Sequence, residues 1–194
     1  MTQFNYQKFF SKFPKINLGD IVLRDLALTD SQGYHELMQD TNVTQYLSDE
    51  DIPKNYEESV NEIKFWSSLF YKKRSVFWGI ALESTDKLIG TIGFSSWNFY
   101  NKRAEISYEL KSDFWRKGIM TKALTNALIF GFKNMQLNRI EARTMEHNTP
   151  SQNLLNKVGF KEEGVQRCYR IIRQSPYDIK LYSIIKKDFN SLLL

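Results

Sequence analysis

A change of hydrophobic period near the middle of the chain most constrains its fold. Residues Ala104–Leu110 alternate strictly between apolar and polar side chains, which is the pattern of a strand buried on one face. Ile119–Met135 then carries apolar side chains at helical spacing, and the strand-like segment Arg139–Met145 follows. A strand, helix and strand in this order predict two parallel strands joined by a crossover helix.

The flanking segments predict a mixed α/β fold. Hydrophobic periodicity and turn residues favour three strands before the central unit and two after it. We expect one helix with Thr29 as its N-cap, a second from about Pro53 to Lys72, and a third over Ser151–Val158 that ends at Gly159. The predicted outer strands are Ile21–Leu28, Val76–Leu82, Leu88–Trp97, Gly164–Ile172 and Ile179–Ile185.

Composition limits the class of protein. A length of 194 residues corresponds to one domain, and 42% hydrophobic with 25% charged residues argues against disorder. The single cysteine, Cys168, excludes an intrachain disulfide and cysteine-rich zinc modules. The net charge of +5 allows an anionic ligand, but it is too ordinary to indicate nucleic acid, so we expect no nucleic-acid partner.

The chain shows no membrane or secretion signal. No apolar run reaches the ~18 residues that a membrane span needs. Lys8 and Lys12 interrupt the first residues, and no apolar stretch typical of a signal peptide follows them. We therefore expect no membrane partner and a cytoplasmic location.

The segment from Trp115 to Thr121 is a candidate anion site. It lies between the central strand and the long helix, where free backbone amides and the helix dipole attract negative charge. Gly118 would let a phosphate approach the backbone, and Arg116, Lys117 and Lys122 add positive charge. The alternative is an ordinary helix start with solvated basic side chains.

Three other groups of residues are candidates for chemistry. Glu105 and Glu109 share the polar face of the central strand with Ser107, but they stand roughly 13 Å apart, so at most one serves any reaction centre. Asn148 to Ser151 begin a helix whose N-terminus either faces a cleft or is simply capped. Lys161–Arg173 is basic and aromatic, and it is either a solvated strand face or a contact for an acidic partner. No histidine, cysteine and carboxylate cluster has the spacing of a metal site, so we expect no metal.

Taken together and in order, five segments resemble the GNAT superfamily of acetyl-CoA-dependent N-acetyltransferases. Within it, the closest resemblance is to the branch of ribosomal-protein N-terminal (alanine/serine) acetyltransferases. It spans about Leu18 to Phe189 and implies an N-terminal extension over 1–17 and a single domain over 18–194. The implied fold has a central, mostly antiparallel sheet whose fourth and fifth strands are parallel and splayed, flanked by helices. The segments are Leu18–Leu26, Ala104–Leu110, Phe114–Thr121, Leu137–Ala142 and Asn148–Phe160.

The resemblance implies where acetyl-CoA would bind. Its pantetheine would pair with the backbone of Tyr108, Glu109 and Leu110, and Asn148 would contact the pantetheine or position Ser151. Trp115 and Met120 depart from the family's loop pattern, but backbone amides, not side chains, do the binding there. The pyrophosphate would lie on the residues Arg116, Lys117, Gly118, Ile119, Met120 and Thr121.

The resemblance also implies direct attack of an amine on the thioester. Glu105 matches the position of the general base in some family members, acting directly or through water. Many members protonate the leaving thiolate with a tyrosine, but that position is Leu155 here, and Ser151 matches the serine that the ribosomal branch uses. Arg170 occupies a position where some of that branch have a carboxylate.

The predicted function is acetyl transfer to a primary amine, with the N-terminal α-amine of a protein, such as a ribosomal protein, as the leading acceptor. A small-amine acetyltransferase acting on polyamines or aminoglycosides is one alternative. A non-catalytic acyl-CoA-binding sensor is another, motivated by Leu155 and Arg170. The sequence leaves a homodimer open, because strands near the C-terminus could pair across two copies.

Overall fold

The computed structural model describes residues 5–192, and one mixed sheet contains all of the described strands. Across the sheet these strands follow the order 1-2-3-4-5-6-8-7, and every neighbouring pair is antiparallel except the fifth and sixth. The predicted mixed α/β class is therefore confirmed. The strands are β1 Ile16–Asn17, β2 Ile21–Arg24, β3 Phe77–Leu82, β4 Leu88–Asn98, β5 Arg103–Leu110, β6 Arg139–Met145, β7 Lys161–Ile172 and β8 Ser175–Ile185.

Helices cover both faces of this sheet. The α-helices are α1 Tyr6–Phe9, α2 Ser31–Gln39, α3 Thr41–Thr44, α4 Tyr56–Tyr71, α5 Ile119–Lys133, α6 Thr149–Lys157 and α7 Lys186–Leu192. Helices α5 and α6 bury their apolar residues in the larger core, whereas α2 and most of α4 pack into a second core around Phe77 and Leu88. Because strand side chains alternate between faces, the two cores lie on opposite sides of the sheet.

The central parallel pair is short and then separates. β5 and β6 pair only at Arg103 with Arg139, Ala104 with Ile140, and Glu105 with Glu141. On its other edge β5 stays paired with β4 as far as Leu110. Beyond Glu105, therefore, the edge of β5 that faces β6 has no strand partner among the described residues. The predicted splay of these two strands is confirmed.

Several predicted boundaries were wrong. The first strand ends at Arg24 and not at Leu28, because the Arg24 guanidinium binds the Asp30 carboxylate at 2.8 Å and holds the chain in a turn. Thr29 is not a cap, since it lies inside a 3-10 turn and α2 begins after Asp30. The last hairpin is longer than predicted, because its turn is confined to Arg173 and Gln174, both with positive φ, and residues expected to form a loop extend β8.

The segment before β2 packs into the same domain. Phe10 is buried, with its ring centroid 5.1 Å from that of Phe70. The Trp78 indole nitrogen donates to the Pro14 carbonyl oxygen at 2.7 Å, and Ile16 pairs with Leu23 in the sheet. The sequence analysis set residues 1–17 apart as an extension, and the described part of that segment, 5–17, shares the sheet and the larger core.

This packing predicts that Phe10→Ala destabilises the whole domain. Phe10 is 8% exposed, and truncating a buried phenylalanine costs about 3 kcal/mol through lost burial and a cavity. Urea unfolding measures the loss, with Tyr100→Ala as control, because Tyr100 is 94% exposed and its truncation should change the free energy of unfolding by less than about 0.5 kcal/mol. Equal midpoints for the two variants would contradict the prediction.

Candidate active site

The start of helix α5 is an open anion-binding position. Gly118 is the N-cap residue and adopts a left-handed conformation with φ 77°, and no side chain caps the helix there. The amides of the first turn, Ile119, Met120 and Thr121, therefore remain available as donors. A Cβ atom at Gly118 would meet no atom within 4 Å, so there is room beside this backbone. These features fit the diphosphate of a coenzyme A ligand.

The basic side chains near this position differ in their contacts. Arg116 and Lys117 are exposed, and the Lys117 ammonium lies 5.3 Å from the centre of the Phe114 ring. Lys122 extends to the Asp20 carboxylate, at 2.8 Å, so its charge is already compensated. The cations that remain at the helix start are therefore Arg116 and Lys117.

Three predicted residues meet where β5 and β6 have separated. The Tyr108 hydroxyl and the Ser151 hydroxyl are hydrogen-bonded at 2.9 Å, which connects β5 to helix α6. The Asn148 side-chain oxygen accepts the Ser151 amide at 3.1 Å and so fixes the first turn of α6. Burial raises the pKa of Tyr108, so its phenol stays protonated at neutral pH.

Two other predicted positions have structural partners. The Leu110 carbonyl oxygen accepts the Trp115 indole hydrogen at 2.7 Å, which ties the end of β5 to the segment before α5. Leu155, which occupies the position of the family's tyrosine, is completely buried in the larger core. Ser151 therefore remains the hydroxyl of α6 that faces the separated strands.

Glu105 lies at the last paired position of the parallel strands, beside Glu141. Its carboxylate forms an ion pair with Arg143 of β6. Burial raises the pKa of Glu105, Arg143 and Arg170 oppose that rise, and Glu141 adds to it. The predicted base therefore carries a compensating cation, Arg143, beside its carboxylate.

Glu109 has a different environment on the same face of β5. The Thr91 hydroxyl donates to its carboxylate from the directly opposite position on β4. Burial raises the pKa of Glu109 to about 7, the Thr91 hydrogen bond opposes the rise, and the negative charges of Asp51 and Glu62 add to it. In the sequence Glu109 is a candidate both for its backbone and for its carboxylate, but Thr91, Asp51 and Glu62 are distant in sequence, so only the fold shows the surroundings of that carboxylate.

The β7–β8 hairpin closes over the chain before α4. The Arg170 guanidinium binds the Ser48 hydroxyl at 2.8 Å and the Asp51 carboxylate at 2.9 Å. The Arg173 amide donates to Asp49 at 2.8 Å. Arg170 therefore ties the hairpin to the segment before α4.

An aromatic group rims the same side of the site. The His147 ring lies between Tyr46 and Tyr177, with ring centroids 5.9 Å and 5.3 Å away. His147 immediately precedes Asn148, so this group adjoins the start of α6. The sequence analysis did not connect these three residues, which come from three distant segments.

A sheet split by a parallel pair, with an open helix N-terminus beyond the end of β5, defines an acyl-CoA N-acyltransferase. The unpaired strand edge offers backbone groups to an extended amide-containing arm, and the helix start offers amides to its phosphates.

Comparisons with known proteins agree with this class. Residues 20–161 match the family model described as an acetyltransferase (GNAT) domain. An uncharacterized N-acetyltransferase of Bacillus subtilis is 34% identical over 174 residues, covering 90% of this chain and 98% of that protein. The [ribosomal protein uS5]-alanine N-acetyltransferase of Escherichia coli is 31% identical over 124 residues, covering 62% of this chain and 63% of that protein. The solved structure of a microcin C7 self-immunity acetyltransferase, in complex with acetyl-CoA and AMP, has a TM-score of 0.76 at 24% identity and covers 86% of this chain and 92% of that one.

The chain belongs to the GNAT acetyltransferase family. The predicted fold, the N-acetyltransferase activity and acetyl-CoA as the acetyl donor are confirmed. The alternative of a non-catalytic acyl-CoA-binding sensor is therefore set aside in favour of an acetyltransferase.

No helix within residues 5–192 combines the length and the apolar character that crossing a bilayer requires. The same residues contain no group of three or more His, Cys, Asp or Glu side chains placed to hold a metal ion.

The environment of Glu109 predicts a pH-dependent change in stability for Glu109→Gln. A carboxyl group whose folded-state pKa is raised from 4.5 to about 7 loses stabilisation as pH rises through that window, because the native site disfavours the charged form. Glutamine keeps an acceptor for Thr91 without the charge. The variant should be more stable than the wild type at pH 8, by up to about 3 kcal/mol, and should differ little at pH 4.5. Thermal unfolding of both proteins at the two pH values measures this difference in stability. A difference between variant and wild type that is the same at pH 4.5 and pH 8 would contradict the prediction.

Proposed function

We propose that this acetyltransferase transfers the acetyl group of acetyl-CoA to the N-terminal α-amine of a protein, with a ribosomal protein as the first candidate. The E. coli relative is named as an alanine N-acetyltransferase of ribosomal protein uS5, which supports a protein acceptor. A ribosomal acceptor implies a cytoplasmic location.

The observation that carries the acceptor proposal is the charge and shape on the α2 and α4 side of β5. Glu109, Glu62 and Asp51 concentrate negative potential there, which favours the approach of an ammonium group. The aromatic group of Tyr46, His147 and Tyr177 rims the same side and offers flat apolar surface to the residues that follow an N-terminus.

The donor would occupy the other features already described. The amides of Arg116, Lys117, Gly118, Ile119, Met120 and Thr121 would hold the diphosphate. The free edge of β5 at Tyr108 and Glu109 would pair with the pantetheine arm. Asn148 would act on Ser151 by fixing the first turn of α6.

The chemistry would need one proton acceptor and one proton donor. Ser151, hydrogen-bonded to Tyr108, would donate to the leaving thiolate. Glu105, predicted from the sequence, and Glu109 are the two carboxylates on the face from which the amine would approach. At most one of them serves the reaction centre.

The acceptor proposal predicts selectivity among amine probes. Peptides that begin with alanine or serine should be acetylated faster than the same peptides with a blocked N-terminus and an internal lysine, and faster than spermidine. Mass spectrometry of the products and release of free coenzyme A measure the rates. Acetylation of spermidine or an aminoglycoside, with none of the peptides modified, would replace a protein acceptor with a small amine, which the same acidic residues would also attract.

The donor role of Ser151 predicts that Ser151→Ala lowers kcat roughly 10-fold or more, since a poorly protonated thiolate leaves slowly. The KM for acetyl-CoA should change little, because the backbone amide of the alanine still donates to the Asn148 side-chain oxygen. Ser191→Ala is the control. The Ser191 hydroxyl donates to the Lys187 carbonyl oxygen within α7, a helix that carries none of the proposed site residues. An unchanged kcat for Ser151→Ala would assign thiolate protonation to another group or to water.

A further inference from the structure

We propose that Glu109, and not Glu105, accepts the proton that the attacking amine loses. This inference rests on the proposed acetyl transfer to an amine and adds to it the catalytic residue that makes the amine nucleophilic. Three features of the structure carry it: position along β5, the face of the strand, and the charged groups around each carboxylate.

Position along the strand separates the two carboxylates. Glu105 lies where β5 and β6 are still hydrogen-bonded to each other, so the neighbouring strand occupies the space beside its backbone. Glu109 lies four residues further, roughly 13 Å away, in the part of β5 whose edge is free. Tyr108, its immediate neighbour, binds Ser151, the proposed donor to the leaving sulfur. Glu109 is therefore the carboxylate next to the place where the thioester bond would break.

The two faces of β5 give Glu109 and Ser151 different tasks. Tyr108 and Glu109 are consecutive strand residues, so their side chains point to opposite faces. Tyr108 turns toward α6, where the sulfur would leave, and Glu109 turns toward Tyr34 of α2 and Glu62 of α4, where an amine would enter. An acceptor of the amine proton belongs on the second side.

The charged surroundings also favour Glu109. Glu105 is paired with Arg143 and also feels Arg170, and a nearby cation makes a carboxylate a weaker base. Among the described residues, the groups that act on Glu109 are the Thr91 hydroxyl from β4, Glu62 from α4 and Asp51 from a second 3-10 turn, Asp49–Asp51. Glu109 in turn acts on Tyr34 and Tyr108. None of these groups is a cation, although Asp51 itself is paired with Arg170.

The basicity of Glu109 suits an α-amine. Its pKa of about 7 lies close to the value of about 7.7–8.0 for an α-ammonium group and about three units below that of a lysine ammonium. Proton transfer from an N-terminus to Glu109 is therefore nearly balanced, whereas transfer from lysine is about a thousandfold uphill.

The Glu109 carboxylate removes one proton from the ammonium group, and the neutral nitrogen attacks the thioester carbon. The new carbon–nitrogen bond forms, the carbon–sulfur bond breaks with its electron pair on sulfur, and the second nitrogen proton reaches the thiolate through the Ser151 hydroxyl. Glu109 then releases its proton to water, so one proton is set free for each amide formed.

Steady-state kinetics of the full chain tests this role, with acetyl-CoA and the alanine-initiated peptide as probes. We expect Glu109→Gln to lower kcat about 100-fold at pH 7.5, the size of a general-base contribution, with the Kd for acetyl-CoA by calorimetry changed less than about twofold. The wild-type pH profile should show a limb with an apparent pKa near 7 that the variant lacks. Glu109→Asp should keep that limb at a reduced rate, because it retains a carboxyl group.

Glu62→Gln, on the facing helix, removes a like charge near Glu109, so the same limb should move to lower pH. Glu57→Gln is the matched control, because Glu57 is an exposed carboxylate of the same helix, and it should leave both kcat and the limb unchanged. Glu105→Gln should retain the limb near pH 7. If Glu109 had only a structural role, the limb near pH 7 would remain in Glu109→Gln and would not shift in Glu62→Gln.

Several results would overturn the inference. Loss of turnover and of the limb in Glu105→Gln, with Glu109→Gln unaffected, would return the role to Glu105. An unchanged profile in both variants would leave water as the proton acceptor. A Glu109→Gln variant that no longer binds acetyl-CoA would make Glu109 a donor-binding residue. If the wild type acetylates spermidine but no peptide, the acceptor proposal fails separately, and the same variants are compared with spermidine.

Discussion

The brief pairing of β5 with β6 is the constraint on which the rest of the site depends. Three residue pairs hold the strands parallel, and after Glu105 and Glu141 they part. Because β4 stays paired with β5 as far as Leu110, β5 remains in the sheet while its edge toward β6 becomes free. A free edge inside a folded sheet exposes backbone donors and acceptors that an extended ligand can satisfy.

The same strand presents different side chains to the two faces of the sheet. On the face covered by α5 and α6, Tyr108 is hydrogen-bonded to Ser151, and the open helix start at Gly118 follows the end of the strand. On the opposite face, Glu109 meets the Thr91 hydroxyl and the negative charges of Asp51 and Glu62. Arg170 of the β7–β8 hairpin is paired with Asp51, which ties the hairpin to the segment before α4.

Local patterns predicted the elements that have their own period, such as β5 and α5, because alternation and helical spacing are readable within one segment. The predicted end of the first strand and the predicted cap of α2 were wrong, because Arg24 and Asp30 form an ion pair that hydrophobic periodicity does not reveal. The predicted last hairpin was too short, because cross-strand pairing, and not residue type, extends β8. Glu105 and Glu109 looked alike in sequence, since both alternate onto the polar face of β5.

The sequence by itself determined the family, the mixed sheet with its parallel central pair, and the helix start that suits a diphosphate, because each is written in consecutive residues. Only the tertiary structure decided how the two carboxylates of β5 differ. Glu105 meets Arg143 from β6, whereas Glu109 meets Thr91, Asp51 and Glu62 from three other segments. Burial and neighbouring charge set the basicity of a carboxyl group, and both are properties of what folding brings together.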